Sequence, residues 1–243
     1  MIKLISKTTI LTFIICFTTI IAKAQIGYDY SQYELGVAAG FDQVSGNAQT
    51  QTTTQSIHFN FTYNFTPFTN FVFEAQLGRL RGGDSVTTST GRYFNNDFSA
   101  FIFRGQLQFG EFLDYSNSAF KNAIKNLYVS AGAGFIVNHI TQISRMSMQS
   151  GAYTPGLNSS NEPFIPLRIG YEFKIFNKYQ QPSTKIDLGY EYNLTFGDGL
   201  DGFSASKRQE VYTQFTVGVK FAIGGDIISY RKQIHYWIGE LMN

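Results

Sequence analysis

The sequence predicts an all-β fold, an eight-stranded antiparallel up-and-down transmembrane β-barrel. Three observations carry this. Residues 57–65, Ile-His-Phe-Asn-Phe-Thr-Tyr-Asn-Phe, alternate apolar and polar without a break. Only a strand, with its two-residue side-chain period, puts Ile57, Phe59, Phe61, Tyr63 and Phe65 on one face and His58, Asn60, Thr62 and Asn64 on the other. Comparable stretches recur along the chain, separated by loops of alternating length. The chain also opens with an export signal and carries no cysteine beyond it.

The bulk numbers agree with this fold. The chain has 243 residues, enough for one barrel. It is 16% aromatic, with 24 Phe and 15 Tyr, yet its mean hydropathy is only −0.11. A bundle of membrane helices would be far more apolar. Strands that are apolar on one side only give this balance.

Residues 1–24 read as a secretory signal. Lys3 and Lys7 form the basic start, residues 10–21 the apolar run, and Ala22-Lys23-Ala24 the small-x-small cleavage pattern. The mature chain is expected to begin at Gln25 after Sec export. A membrane anchor is the alternative, but the run is short and no second span follows. Cys16, the single cysteine, lies in this segment after Ile15. Ile15 is not the small residue a lipoprotein signal needs there. Loss of Lys3, Lys7 and Lys23 leaves 16 basic against 17 acidic residues, so no basic excess points to nucleic acid.

Eight strands follow in order. The first, 33–42, sets Leu35, Val37, Ala39 and Phe41 against Glu34, Gly36, Ala38 and Gly40. The second is 56–65. The third, 70–80, alternates Phe71, Phe73, Ala75 and Leu77 with Val72, Glu74 and Gln76. The fourth, 98–109, sets Phe101, Phe103, Leu107 and Phe109 against Arg104, Gln106 and Gln108. The fifth, 127–143, is long and small-residue-rich. The sixth, 165–176, sets Ile165, Leu167, Ile169, Tyr171, Phe173 and Ile175 against Arg168, Glu172 and Lys174. The seventh, 185–196, sets Ile186, Leu188, Tyr190 and Tyr192 against Asp187, Glu191 and Asn193. The eighth, 211–221, ends at Phe221. These lengths suit a tilted crossing of a bilayer.

The connections supply asymmetry. Residues 66–69 form a tight turn, whereas 42–55, 81–97, 144–163 and 197–210 are long, polar loops. An even strand number puts both chain ends on the periplasmic side and all four long loops outside the cell. The connection 110–126 is the exception. Its Phe112, Leu113, Tyr115, Phe120 and Ile124 suggest a short amphipathic helix against the barrel rim, or else an element that binds a periplasmic partner. The barrel domain is expected to span 25–225. A tail, 226–243, then lies in the periplasm or on the membrane interface.

Strand alternation, export signal and loop asymmetry together make the chain resemble the small OmpA/OmpX-like outer-membrane β-barrels. Its texture is most similar to uncharacterised barrels of Bacteroidetes-type bacteria, in segments such as 91–96, 165–173 and 212–221. The resemblance covers about residues 25–225. It implies the fold and the outer membrane of a Gram-negative bacterium. It does not fix a function, because such barrels serve as anchors, adhesins, narrow pores and lipid enzymes.

With aromatics facing lipid, the other face lines the interior. It holds Glu34, Glu74, Arg104, Arg168, Glu172, Lys174, Lys185, Asp187, Glu191 and Lys220. An eight-stranded barrel has room for side chains and little else, so these charges must pair. Antiparallel register sets Glu74 opposite Arg104, Lys174 opposite Asp187, and Asp187 opposite Lys220, with Glu34 in reach of Lys220. Asp187 more than about 8 Å from both lysines would defeat this arrangement.

The expected role is structural or interfacial, with a charge-plugged lumen. A narrow pore for ions or small solutes is the second reading, and a lipid-modifying enzyme the third. None of His58, His139 and His235 carries the His-x-Ser spacing that would set both side chains on one strand face. No catalytic residue, cofactor site or metal-ligand spacing is assigned. The expected partners are outer-membrane lipid and, through the four long loops, an extracellular ligand or surface protein. Tyr93, Phe94, Tyr153 and Phe203 are loop aromatics available for such contacts. A monomer is expected. A soluble lipocalin-like barrel would reverse the two faces and stud its exterior with charge, which this pattern does not.

Overall fold

The computed structural model describes residues 27–46, 50–86, 88–116, 118–204 and 210–231. The expected export signal, residues 1–24, and the end of the expected tail, residues 232–243 with His235, lie outside the described residues. Eight long strands close on themselves: β1 (Gly27–Ser45), β2 (Thr54–Asn64), β3 (Thr69–Gly83), β4 (Tyr93–Gln108), β5 (Leu127–Ser144), β6 (Ser159–Phe176), β7 (Pro182–Thr195) and β8 (Val211–Arg231). Each pairs antiparallel with its neighbour in sequence, and β8 pairs with β1. A two-residue segment, Gln51–Thr52, adds to the edge of β3. The predicted barrel is therefore the observed one.

Turns at 65–68 and 177–181 lie at one end, with both ends of the described barrel. Residues 50–53, 84–86, 88–92, 145–158 and 196–204 of the long loops lie at the other. These are called the turn end and the loop end.

Side chains alternate as the sequence demands. Phe73, Leu35, Phe59, Phe101, Leu167, Ile169, Phe215 and Phe221 stand exposed on the outside. Rings run across strands as a ladder, with Tyr33–Tyr63 at 5.7 Å, Tyr63–Phe71 at 6.5 Å and Phe71–Phe103 at 6.1 Å between centroids. On β6 the outward apolar run from Ile165 to Ile175 covers ten steps. At strand rise this is about 34 Å, or about 26 Å in height at the usual barrel tilt, the height of a bilayer-facing band.

Three features depart from the sequence reading. β8 does not stop at Phe221 or at residue 225. It runs to Arg231, pairing Tyr230 with Tyr28 and Ser229 with Asp29. The mutual hydrogen bonding of β1 and β8 satisfies both backbones beyond the barrel wall. The pairing shifts register between Ser31 and Tyr33, and Gly224 adopts a positive φ of 85°, so the Gly224-Gly225 pair bends a strand instead of making a turn.

The second departure is the 109–126 connection. A short 3-10 turn, Phe109–Glu111, precedes α1 (Ala119–Ile124), which has only six residues. Phe112 and Phe120 point outward at 71% and 73% exposure, so the segment is not held by a helix face. Tyr115 anchors it instead, buried against Phe68 and Tyr30 with Phe176, Ile228 and Tyr230 packed alongside. That aromatic group closes the turn end.

The third departure is inside. The loop-end half of the lumen holds an apolar cluster, with Asp42, Glu162 and Glu210 buried beside it. Val44, Leu80, Phe94, Phe98, Ala100, Ile102, Ile136, Phe164 and Tyr212 meet Leu200 and Phe203 from the last loop. Phe94 and Phe203 are thus core residues, whereas Tyr153 is exposed.

Candidate functional site

The inward positions of all eight strands converge on one charged layer nearer the turn end. β1 supplies Glu34, β3 Glu74, β4 Arg104, β6 Arg168, Glu172 and Lys174, β7 Lys185, Asp187 and Glu191, and β8 Lys220. All ten predicted lumen residues are buried. Five are acidic and five basic, so the layer is neutral as a set. β2 and β5 add His58 and Tyr128.

Acids and bases alternate along a continuous ladder. His58 Nδ1 lies 2.8 Å from Glu74 Oε1, and Arg104 Nη2 donates to Glu74 Oε2 at 2.6 Å. Glu191 sits between Arg104 and Arg168, at 3.5 and 3.6 Å. Arg168 reaches Asp187 at 3.3 Å, and the Tyr128 hydroxyl donates to the same oxygen at 2.6 Å. Lys220 bridges Asp187 at 2.9 Å and Glu172 at 2.6 Å. Lys185 lies 3.6 Å from Glu172 and 2.8 Å from Glu34. Burying this many charges is costly, and the alternation offsets much of that cost by giving charges of opposite sign shared contacts.

The expected partners hold in part. Glu74 and Arg104 do pair, although Glu74 faces Ile102 in register and Arg104 faces Val72. Asp187 does meet Lys220, although it faces Gly218. Its other cation is Arg168, not Lys174. β6 and β7 are offset so that Glu172 faces Asp187 and Lys174 faces Lys185. Glu34 pairs with Lys185 across the lumen instead of with Lys220. Direct opposition does not decide these pairs, because long side chains in a barrel reach diagonally and across.

Lys174 closes the ladder at the turn end. Its Nζ donates to the Pro67 carbonyl and to Gln108 Oε1, both at 2.7 Å, and lies 4.6 Å from the Phe68 ring centroid. Gln108 in turn donates to Glu172 at 2.6 Å. The loop end is closed by residues 196–204. Asn96 donates to the Leu200 carbonyl at 2.8 Å, and the Leu200 N–H donates to Glu210 Oε2 at 2.6 Å. Burial, with Asp201 beside it, pushes the Glu210 carboxyl up to about 10. It is therefore protonated at neutral pH and can donate within this loop.

One constellation escaped the sequence reading. Ser56 Oγ lies 2.8 Å from His58 Nε2, and His58 Nδ1 lies 2.8 Å from Glu74. Its order is Ser56-x-His58, the reverse of His-x-Ser, which equally places both side chains on one face. The residue types are those of a nucleophile relay. The surroundings are not. Ser56 also donates to Asp42 at 3.0 Å, and a Cβ built on Gly40 would lie 2.2 Å from Ser56 Oγ. The β1 backbone at Gly40 thus crowds the Ser56 hydroxyl. His139 stands outside the barrel, opposite Asp97 in register. Among the described residues no cluster of three His, Cys, Asp or Glu is arranged to hold a metal ion.

Comparison with known proteins gives structural likeness alone. No protein-family model matches the chain, and no curated protein matches. Neisserial surface protein A superposes with a TM-score of 0.48 at 11% identity, covering 79% of this chain and 98% of that one. Ail, the attachment invasion locus protein of Yersinia pestis, gives 0.42 at 12% identity, covering 79% and 98%. The outer membrane protein AlkL gives 0.42 at 11% identity, covering 88% and 97%.

Proposed function

We propose that the chain is a monomeric, integral outer-membrane β-barrel of a Gram-negative bacterium, with a structural or surface-interaction role and no enzymatic activity. One observation carries the membrane assignment. The exposed outer wall is an apolar, largely aromatic band, while the charges sit inside in matched pairs. In water that distribution would be inverted. In a bilayer each face meets the solvent it suits.

The interior favours a plug over a pore. Ion pairs fill one half of the lumen, an apolar cluster with buried polar groups around it fills the other, and Tyr115 and Phe203 sit at the two ends. The interaction role is supported by the four long loops, where Val86, Met148 and Tyr153 are well exposed. Outer-membrane fractionation with heat-modifiable gel mobility tests the placement. Recovery in the soluble periplasm without a mobility shift would overturn it. Planar-bilayer recording then separates plug from pore. The plug gives no steady conductance, and open channels in the wild-type protein would contradict it.

A further inference from the structure

Every strand cation with a described side chain points into the lumen, except two. Arg79 and Arg81 stand on the outer face of β3, at the loop-end edge of the apolar band. Arg79 is 48% exposed, and its Nε contacts Asp97 Oδ1 at 2.6 Å. Arg81 donates to a neutral partner, the Asn95 amide oxygen, at 3.1 Å. Two guanidinium groups against one carboxylate leave a net positive charge. Around them a shallow cleft of about 580 Å³ is lined by Thr52, Thr53, Gln55 and Leu77.

Further along the same face of β3 the wall is hollow. Ala75 faces Phe59 on one side and Phe101 on the other. A methyl group stands there between two rings. The result is an apolar groove of about 860 Å³, walled by Phe59, Phe61, Phe73, Phe101 and Phe103 with Ala75 in its floor. From Arg79 to Ala75 is four residues, about 13 Å along the strand. A cationic cleft at the edge of the band thus sits directly above an apolar trough within it.

We propose that this face binds one phosphate-bearing lipid. The headgroup phosphate rests on Arg79 and Arg81, and an acyl chain lies in the groove over Ala75. Charge complementarity selects an anionic headgroup, since guanidinium forks match phosphate oxygens. The depth of the trough below the arginines selects an acyl chain over a soluble anion. The inference rests on the membrane-barrel reading.

The test uses the full chain folded in neutral detergent, with heat-modifiable mobility checked for every variant. Native mass spectrometry measures retention of phosphatidylglycerol, phosphatidylcholine and glycerol phosphate. The wild type prefers phosphatidylglycerol over phosphatidylcholine by about tenfold, at the usual worth of basic groups near a lipid surface. Arg81→Gln, which leaves the Arg79–Asp97 contact intact, removes most of that preference. Ala75→Phe, which fills the trough, weakens retention of both lipids. Three results would overturn the site: an undiminished preference in Arg79→Gln/Arg81→Gln, glycerol phosphate binding as tightly as the lipid, or dimers that bury this face and exclude lipid. A chain that shows no mobility shift overturns the membrane reading itself. A shifted chain without the preference overturns only the lipid site.

Discussion

Replacing Glu172 with Gln tests the charge ladder at its most connected point. Glu172 accepts from Lys220 at 2.6 Å, Gln108 at 2.6 Å and Gln106 at 3.0 Å, and lies 3.6 Å from Lys185. The substitution keeps the shape and removes one charge. Lys220 retains Asp187 and Lys185 retains Glu34, so neither lysine is abandoned. The neutral layer becomes net positive. Breaking a buried ion pair costs about 3–5 kcal/mol, and the surviving partners put this case near the lower value. A loss of about 3 kcal/mol is roughly a hundredfold in the folding equilibrium. Urea titration in lipid vesicles, scored by the folded band on an unheated gel, reads it directly. Glu172→Met/Lys185→Met should cost less than the sum of its single variants, because the pair leaves together. A Glu172→Gln loss below about 1 kcal/mol would refute the reasoning, since it would mean that the layer is hydrated like a surface.

Phe164→Ala should lower stability by about 3–5 kcal/mol by the same titration, since its ring is buried against Tyr212 at 5.6 Å in the loop-end cluster. Glu210 binds a proton in the folded loop up to about pH 10 but loses it near the ordinary carboxyl value when the loop unfolds. Its contribution therefore falls as pH rises through that window, and Glu210→Gln should flatten the dependence of loop protection measured by hydrogen exchange. Leu200→Asp should loosen the same loop, because it sets a new carboxylate among Phe94, Phe98 and Tyr212, and limited proteolysis near residue 200 should speed up several-fold.

The alternation at 57–65 was enough to orient β2, because a strand that slips by one residue reverses both faces. Summed over eight strands it fixed closure, the long and short connections, and the ten inward charges. Partner choice was less legible. Strand stagger brings Arg168 rather than Lys174 to Asp187, and stagger is a property of the closed sheet, not of any one segment. The apolar cluster of the lumen has a signal, since Phe98, Ala100 and Ile102 make β4 apolar on both faces over that stretch. Two-sided hydrophobicity reads as a buried strand, and here it marks where the last loop plugs the barrel. The Ser56–His58–Glu74 relay joins two strands whose residues are 16 apart or more, so only the order Ser-x-His was visible in advance. The run of β8 through Gly224-Gly225 was hidden because paired glycines ordinarily announce a turn.

Residues 17–243 carry no cysteine, so single cysteines can be walked along β3 from residue 70 to 77, with Cys16 replaced by Ser, and labelled with an environment-sensitive fluorophore in vesicles of brominated lipid. The account predicts quenching at 71, 73, 75 and 77 and protection at 70, 72, 74 and 76. Uniform quenching, or the opposite alternation, would contradict a barrel whose aromatic wall faces lipid and whose charges fill its interior.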